Sequence, residues 1–208
     1  MTGAYVLGMF PSADLVSRIA SRRSGRDRVD LRRTGSGNPG ATNAALVLGA
    51  RWGIAVLVAD IAKAVLAGLL GWVVAGGDGA CWAATSSVVG HCLPIWNRFR
   101  GGKGVACSAG QCLVAFPAYF PIDLFVAYAT AKWKRQAFAA TAVASACWIL
   151  AALLWWRRAW PNLWGPRPTA ALLWSSAATS AVILAKFEVA RRAGRPSPAP
   201  QPTVGELA

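Results

Sequence analysis

The sequence predicts an all-α, polytopic membrane helix bundle of about seven spans, with the N-terminus outside and the C-terminus cytoplasmic. Three observations lead there. Of the 208 residues, 55% are hydrophobic and only 14% charged, against about a quarter charged in ordinary soluble domains. Four stretches, 79–97, 104–122, 137–156 and 168–185, contain no Asp, Glu, Lys or Arg, and each is long enough for a helix to cross the hydrocarbon of a bilayer. The Lys and Arg residues gather in short clusters between the apolar runs. With the N-terminus outside, seventeen fall on cytoplasmic stretches and three on the last outer loop, as the positive-inside bias requires.

The expected spans are 4–20, 45–75, 80–97, 104–118, 121–131, 136–156 and 169–187. No basic residue precedes the first apolar run, and Arg18 follows it, so this segment reads as a retained helix rather than a secretory signal. Pro117 and Pro121 shorten or tilt the fifth. Trp155, Trp156, Trp160 and Trp164 flank the last outer loop as an interfacial belt. Residues 1–195 read as one integral membrane domain, and 196–208, with prolines at 196, 198, 200 and 202, as a disordered tail.

This composition excludes a secreted domain and a cytosolic enzyme. The net charge of +14 is accounted for by topology and anionic lipid headgroups, so no nucleic-acid partner is implied. Five cysteines without a C-x-x-C pair suggest neither a disulfide framework nor a metal, and no cofactor is expected.

Two loops on the same cytoplasmic face carry the polar chemistry. The first holds Gly35, Ser36, Gly37, Asn38, Gly40, Thr42 and Asn43. It formally matches G-x-G-x-x-G, but arginines rather than a buried strand precede it, so the dinucleotide reading fails. The second holds Arg98, Arg100, Gly101, Gly102, Lys103 and Gly104, and lacks the first glycine and the Ser or Thr of a Walker A loop. Glycines let backbone N–H groups converge on an anion, and a lysine adds charge there. Tight turns and topology explain either loop alone about as well. Two such loops on one face favour a shared phosphate pocket.

Asp60 and Lys63 sit three residues apart within the second span. Intramembrane charges are commonly functional, yet a paired Asp and Lys also serves structure, and the sequence leans slightly to structure. His91, the only histidine, is either a general base or a helix-end hydrogen-bonding residue. Its fifth following residue is Trp96, so the H-x-x-x-x-D acyltransferase pattern is absent. A small transporter is disfavoured, because no repeated halves or paired broken helices are visible.

Gly35 to Asn43, then Gly90-His91-Cys92-Leu93-Pro94, then Phe99-Arg100-Gly101-Gly102-Lys103-Gly104-Val105-Ala106, in that order and spacing, resemble the bacterial acyl-phosphate:glycerol-3-phosphate acyltransferases of the PlsY type. Tyr5-Val6-Leu7-Gly8 with Pro11, and Asp60-x-x-Lys63, are similar to that family too, so residues 4–106 are covered. The resemblance implies a seven-span enzyme of the plasma membrane, its active face cytoplasmic. Its substrates would be acyl phosphate and glycerol 3-phosphate, joined to give lysophosphatidic acid for phospholipid synthesis. It implies no protein nucleophile, catalytic positions at Ser36, Asn38 and Lys103, and substrate contacts from the remaining loop residues and His91. Glu188 and Arg191 can be laid on the family's C-terminal motif, which carries a histidine this chain lacks. Leu46 stands where the family carries arginine. These departures leave open a catalytically weak paralogue that binds phosphorylated lipids or partners.

Overall fold

In the computed structural model, residues 1–25, 27–134 and 137–193 are described, without the side chains of 127, 130–134 and 137. The expected tail at 196–208 lies outside the described residues. Among the described residues every regular element is helical: α1 (Thr2–Gly8), α2 (Ser12–Ser24), α3 (Ala41–Leu48), α4 (Ala50–Cys92), α5 (Val105–Ala115), α6 (Phe120–Lys134), α7 (Ala137–Arg158) and α8 (Ala170–Arg192), with a 3₁₀ turn at Ile95–Asn97. Three of the apolar stretches, Ala50–Asn97, Phe138–Arg158 and Ala170–Arg192, are long enough to cross a membrane, and Val105–Ala115 is a shorter apolar helix.

The longest element is two helices in one. Ala75 and Gly76 leave helical geometry, Gly76 with φ +63°, and the chain folds back there. The arms 50–74 and 77–92 touch through glycine: a Cβ on Gly71 would run into the carbonyl of Gly79, and one on Gly79 into that of Gly71. The break falls at the boundary expected between the second and third spans. The first expected span, by contrast, is interrupted. Pro11 caps α2 without an N–H to offer α1, and the chain turns at Met9–Phe10, where Ser12 N donates to the Phe10 carbonyl at 3.0 Å.

Small residues fill much of the helix contacts, beside a cluster of buried Phe116, Tyr119, Trp148 and Leu172, while many large aliphatic side chains face outward. Ala64, Ala67, Ala80, Ala84, Ala115 and Ala152 fill the core beside buried serines and cysteines, whereas Val73 and Val74 are each 85% exposed and Leu70 60%. In lipid, large apolar side chains gain nothing by leaving the surface, and small ones let backbones approach. Thus α1 lies directly on α4, where a Cβ on Gly8 would overlap the Ser87 carbonyl and one on Gly90 the Tyr5 carbonyl. Polar contacts join α4, α5 and α8: Gln111 donates to Thr85 Oγ1 at 2.9 Å and accepts from Thr179 Oγ1 at 2.7 Å. Interhelical bonds of this kind contribute about 0.6 kcal/mol each. The loop after α7 is held by buried Asn162, which donates to the carbonyls of Ala115 and Pro166.

Gly90→Val places two methyls against the Tyr5 backbone and is expected to cost about 1–3 kcal/mol. Unfolding in detergent, followed by the loss of tryptophan fluorescence, should show a lowered midpoint. Val73→Ala, on the outer surface, should leave the midpoint within about 0.5 kcal/mol.

Candidate functional site

The first glycine loop is shaped by one side chain. Asn43, in the first turn of α3 and 2% exposed, accepts from Ser36 N at 2.8 Å and donates to the Leu31 carbonyl at 2.9 Å and the Thr34 carbonyl at 3.0 Å. Its amide replaces the ladder partners that a non-repetitive segment lacks. Gly35, at φ +63°, sits so close that a Cβ would enter the Asn43 Oδ1. Asn38 is half-buried beside Gly40, whereas Ser36 and Thr42 are exposed. Asn43 is therefore the loop's scaffold.

The second loop leaves α4 at Leu93 and turns through the 3₁₀ segment into Arg98 and Phe99, both with positive φ (51° and 61°). It is pinned to the helix end by Gly101 N donating to the Cys92 carbonyl and Gly102 N to the His91 carbonyl, each at 3.2 Å. Gly104, at φ +90°, starts α5 where a Cβ would come within 2.6 Å of Cys92 Sγ. Arg98 and Arg100 are exposed. Lys103 is half-buried, its Nζ 4.4 Å from the centre of the Phe187 ring, and this burial pushes its ammonium below the ordinary lysine value.

Beneath both loops lie three buried polar side chains from the two arms of α4. Lys63 Nζ is 2.8 Å from Asp60 Oδ1 and 2.9 Å from His91 Nδ1, and it donates to the Phe10 carbonyl at 3.2 Å. Asp60 Oδ1 forms the ion pair without an aligned hydrogen bond and lies 3.4 Å from His91 Nδ1. A narrow crevice of about 20 Å³ brings this cluster together with Pro39 of the first loop and Gly101 and Gly102 of the second. It shares Phe10, Pro11, Arg32 and Trp96 with an open cavity of about 800 Å³ that also exposes Arg18 and Arg28. Arg32 reaches Asp14 at 2.7 Å and lies 5.7 Å from the Trp96 ring centre.

The carboxylate of Asp60, a ring nitrogen of His91 and the thiol of Cys107 lie within 4.8 Å of one another, a donor set that resembles a metal site. The Lys63 ammonium already lies against two of these three donors, Asp60 Oδ1 and His91 Nδ1, and Cys107 Sγ is spent on the Asp60 backbone carbonyl at 3.2 Å. The set fits a built-in cation rather than a metal.

This fold and these loops match known proteins. The family model for glycerol-3-phosphate acyltransferase matches residues 1–192. This chain belongs to the glycerol-3-phosphate acyltransferase family. A relative bearing that name from Exiguobacterium sibiricum is 38% identical over 132 residues, 64% of this chain and 61% of the relative. Another, from Synechococcus elongatus, is 41% identical over 123 residues, 55% of this chain and 56% of that one. These alignments span under two thirds of the relatives' length. One from Pseudomonas paraeruginosa is 38% identical over 146 residues, covering 68% of this chain and 72% of the relative. The crystal structure of PlsY, an integral membrane glycerol 3-phosphate acyltransferase, in its glycerol 3-phosphate form superposes with a TM-score of 0.73 at 26% identity, over 99% of this chain and 96% of that one. Its lysophosphatidic acid form gives 0.69 at the same identity, over 91% and 87%.

Against that family pattern, Leu46 is 75% exposed on α3. At the end of α8, Glu188 is bound by Arg191 at 2.7 and 2.8 Å and by Arg192 at 2.7 Å, so Glu188 and Arg191 pair with each other, and neither lines the crevice. Lys186, one turn earlier, donates to the Phe99 carbonyl at 3.4 Å and ties α8 to the second loop. Sequence reasoning passed over Arg32 and Trp96, which wall the crevice, and weighed Asp60 and Lys63 without their third partner. The available signal was the cost of placing Asp60 and Lys63 inside an apolar span, with the chain's single histidine near the end of the next one.

Asn43→Ala removes all three bonds that shape the first loop. A loss near 1.4 kcal/mol of local stability should accelerate amide hydrogen exchange at Ser36 and Gly37 about tenfold, measured by mass spectrometry in detergent.

Proposed function

We propose that this chain transfers a fatty acyl group from acyl phosphate to the first hydroxyl of glycerol 3-phosphate, at the cytoplasmic face of the plasma membrane. The observation that carries the reading is the meeting of the two glycine loops at one crevice, lined by Pro39 of the first and by Gly101 and Gly102 of the second, the residues that run into Lys103. It draws further support from the family membership and from the glycerol 3-phosphate held by PlsY. In the proposal, residues 1–195 act as one membrane domain of about seven spans, with the N-terminus outside.

Acyl phosphate is an activated mixed anhydride. Attack by the glycerol oxygen on the acyl carbon forms the ester, the bond from that carbon to the phosphate oxygen breaks, and the hydroxyl proton leaves on inorganic phosphate. Positioning and charge stabilisation supply much of such a rate without a protein nucleophile. Lys103 pairs with the acceptor's phosphate at the start of α5, whose first-turn N–H groups favour an anion. Ser36 and Asn38 offer neutral donors near the reacting carbonyl, and Gly35, Gly37 and Gly40 let the backbone approach. Arg98 and Arg100, exposed on the second loop, steer the anions toward it. The acyl chain remains among helices whose outer surfaces are already apolar.

Purified protein in lipid, given acyl phosphate and glycerol 3-phosphate, should release lysophosphatidic acid above an empty-membrane control. Absence of product would leave a protein that binds phosphorylated lipid without turning it over. Lys103→Ala is expected to weaken glycerol 3-phosphate binding by at least about 1.5 kcal/mol, the worth of a charge-assisted bond.

Because burial lowers the Lys103 pKa, the fraction carrying charge falls as pH rises through a value below that of free lysine. Affinity for glycerol 3-phosphate should therefore decline on the alkaline side, seen as a rising KM. Lys103→Arg, whose guanidinium stays charged, should flatten that limb.

A further inference from the structure

The protonation pattern of His91 follows from its neighbours. An ammonium has three N–H bonds and no lone pair. That of Lys63 has three neighbours: it donates to the Phe10 carbonyl at 3.2 Å, lies 2.8 Å from Asp60 Oδ1 in an ion pair without an aligned hydrogen bond, and meets His91 Nδ1 at 2.9 Å. A proton on Nδ1 would set N–H against N–H at that distance, and a doubly protonated ring would add a second positive charge in a place where the side chains are 9% exposed or less. Nδ1 must accept. In a neutral imidazole the proton then resides on Nε2.

The other route, Nδ1–H donating to Asp60 with Nε2 left as a base, uses the longer contact of 3.4 Å and leaves the ammonium facing a proton. The Nε2 edge faces the second loop. A Cβ on Gly102 would enter that nitrogen, and His91 lines the crevice with Pro39, Gly101 and Gly102.

We propose that Asp60 and Lys63 lock His91 as its neutral Nε2–H tautomer, making it a hydrogen-bond donor to an oxygen anion of a phosphorylated ligand in the crevice rather than a general base. Lys63 and Asp60 act as positioning residues: Lys63 fixes the ring nitrogen, and Asp60 balances the charge that makes Lys63 tolerable there. Gly102 leaves the space through which the donor reaches the ligand. The inference deepens the acyltransferase reading and rests on it for the identity of the ligand.

Its test is spectroscopic. The chain has a single histidine, so ring-¹⁵N labelling of full-length protein, purified without a polyhistidine tag, reports one imidazole. The expected spectrum at neutral pH has a protonated Nε2 and a bare, hydrogen-bonded Nδ1. Glycerol 3-phosphate should move the Nε2 proton downfield, and unphosphorylated glycerol should not. Lys63→Met should transfer the proton to Nδ1, toward Asp60; if that variant does not fold, the native spectrum still decides. A native ring protonated at Nδ1 or at both nitrogens, or an Nε2 signal indifferent to glycerol 3-phosphate, overturns the inference. Turnover is a separate measurement. An inactive chain with the expected spectrum removes the acyltransferase reading alone, and an active chain with an Nδ1–H ring removes the inference alone.

Discussion

The ion pair between Asp60 and Lys63 governs how the rest of the molecule is arranged. Charges within hydrocarbon are tolerated only when paired and supplied with polar neighbours. This pair takes its neighbours from two separate parts of the chain, the Phe10 carbonyl at the break between α1 and α2 and His91 on the returning arm of α4, while the Cys107 thiol on α5 bonds the backbone carbonyl of Asp60. Satisfying two charges thus brings the end of α1 and both arms of α4 to one point, and the backbone of Asp60 ties α5 beside it. Both glycine loops border the crevice above it. The same contacts that make the charges affordable hold the loops in register.

Small residues make that convergence possible. Gly8, Gly90, Gly71 and Gly79 each lie where a Cβ would enter a neighbouring backbone, so α1 and the arms of α4 approach along glycine rather than through interdigitated leucines. The second loop extends the arrangement into the site. Tyr5 Oη donates to the Leu93 carbonyl at 2.6 Å and Trp96 Nε1 to the Met9 carbonyl at 3.0 Å, which fastens the start of the loop to α1. Close helix packing and loop position are in this way one feature of the chain.

Much of this was legible in the sequence, for identifiable reasons. The absence of charges over long stretches has no soluble explanation, so the helical membrane character was readable from composition alone, and the break at Ala75–Gly76 fell between two expected spans. The two glycine loops were expected to share one site because their glycines and their neighbouring charges point the same way, and Pro39 of the first and Gly101 and Gly102 of the second do line one crevice. What was not readable depends on distance in space. Asn43 looks like one more donor in a polar loop, yet it is buried and spent on Leu31, Thr34 and Ser36. Glu188 and Arg191 align with a motif but pair at the end of α8, a preference set by their i, i+3 spacing. Asp60 and Lys63 read as a local pair because their third partner is 28 residues away in sequence and arrives only when α4 turns back.

That separation bears on biogenesis. As the chain is synthesised, Phe10 and Lys63 enter the bilayer well before His91 does. Until the second arm follows, the ammonium has a carboxylate and a carbonyl but no imidazole, and each arm of α4 presents a bare glycine edge to lipid. The hairpin that reverses at Ala75–Gly76 therefore gains most by inserting as a unit. The floor of the crevice is assembled in the same event that buries the charges.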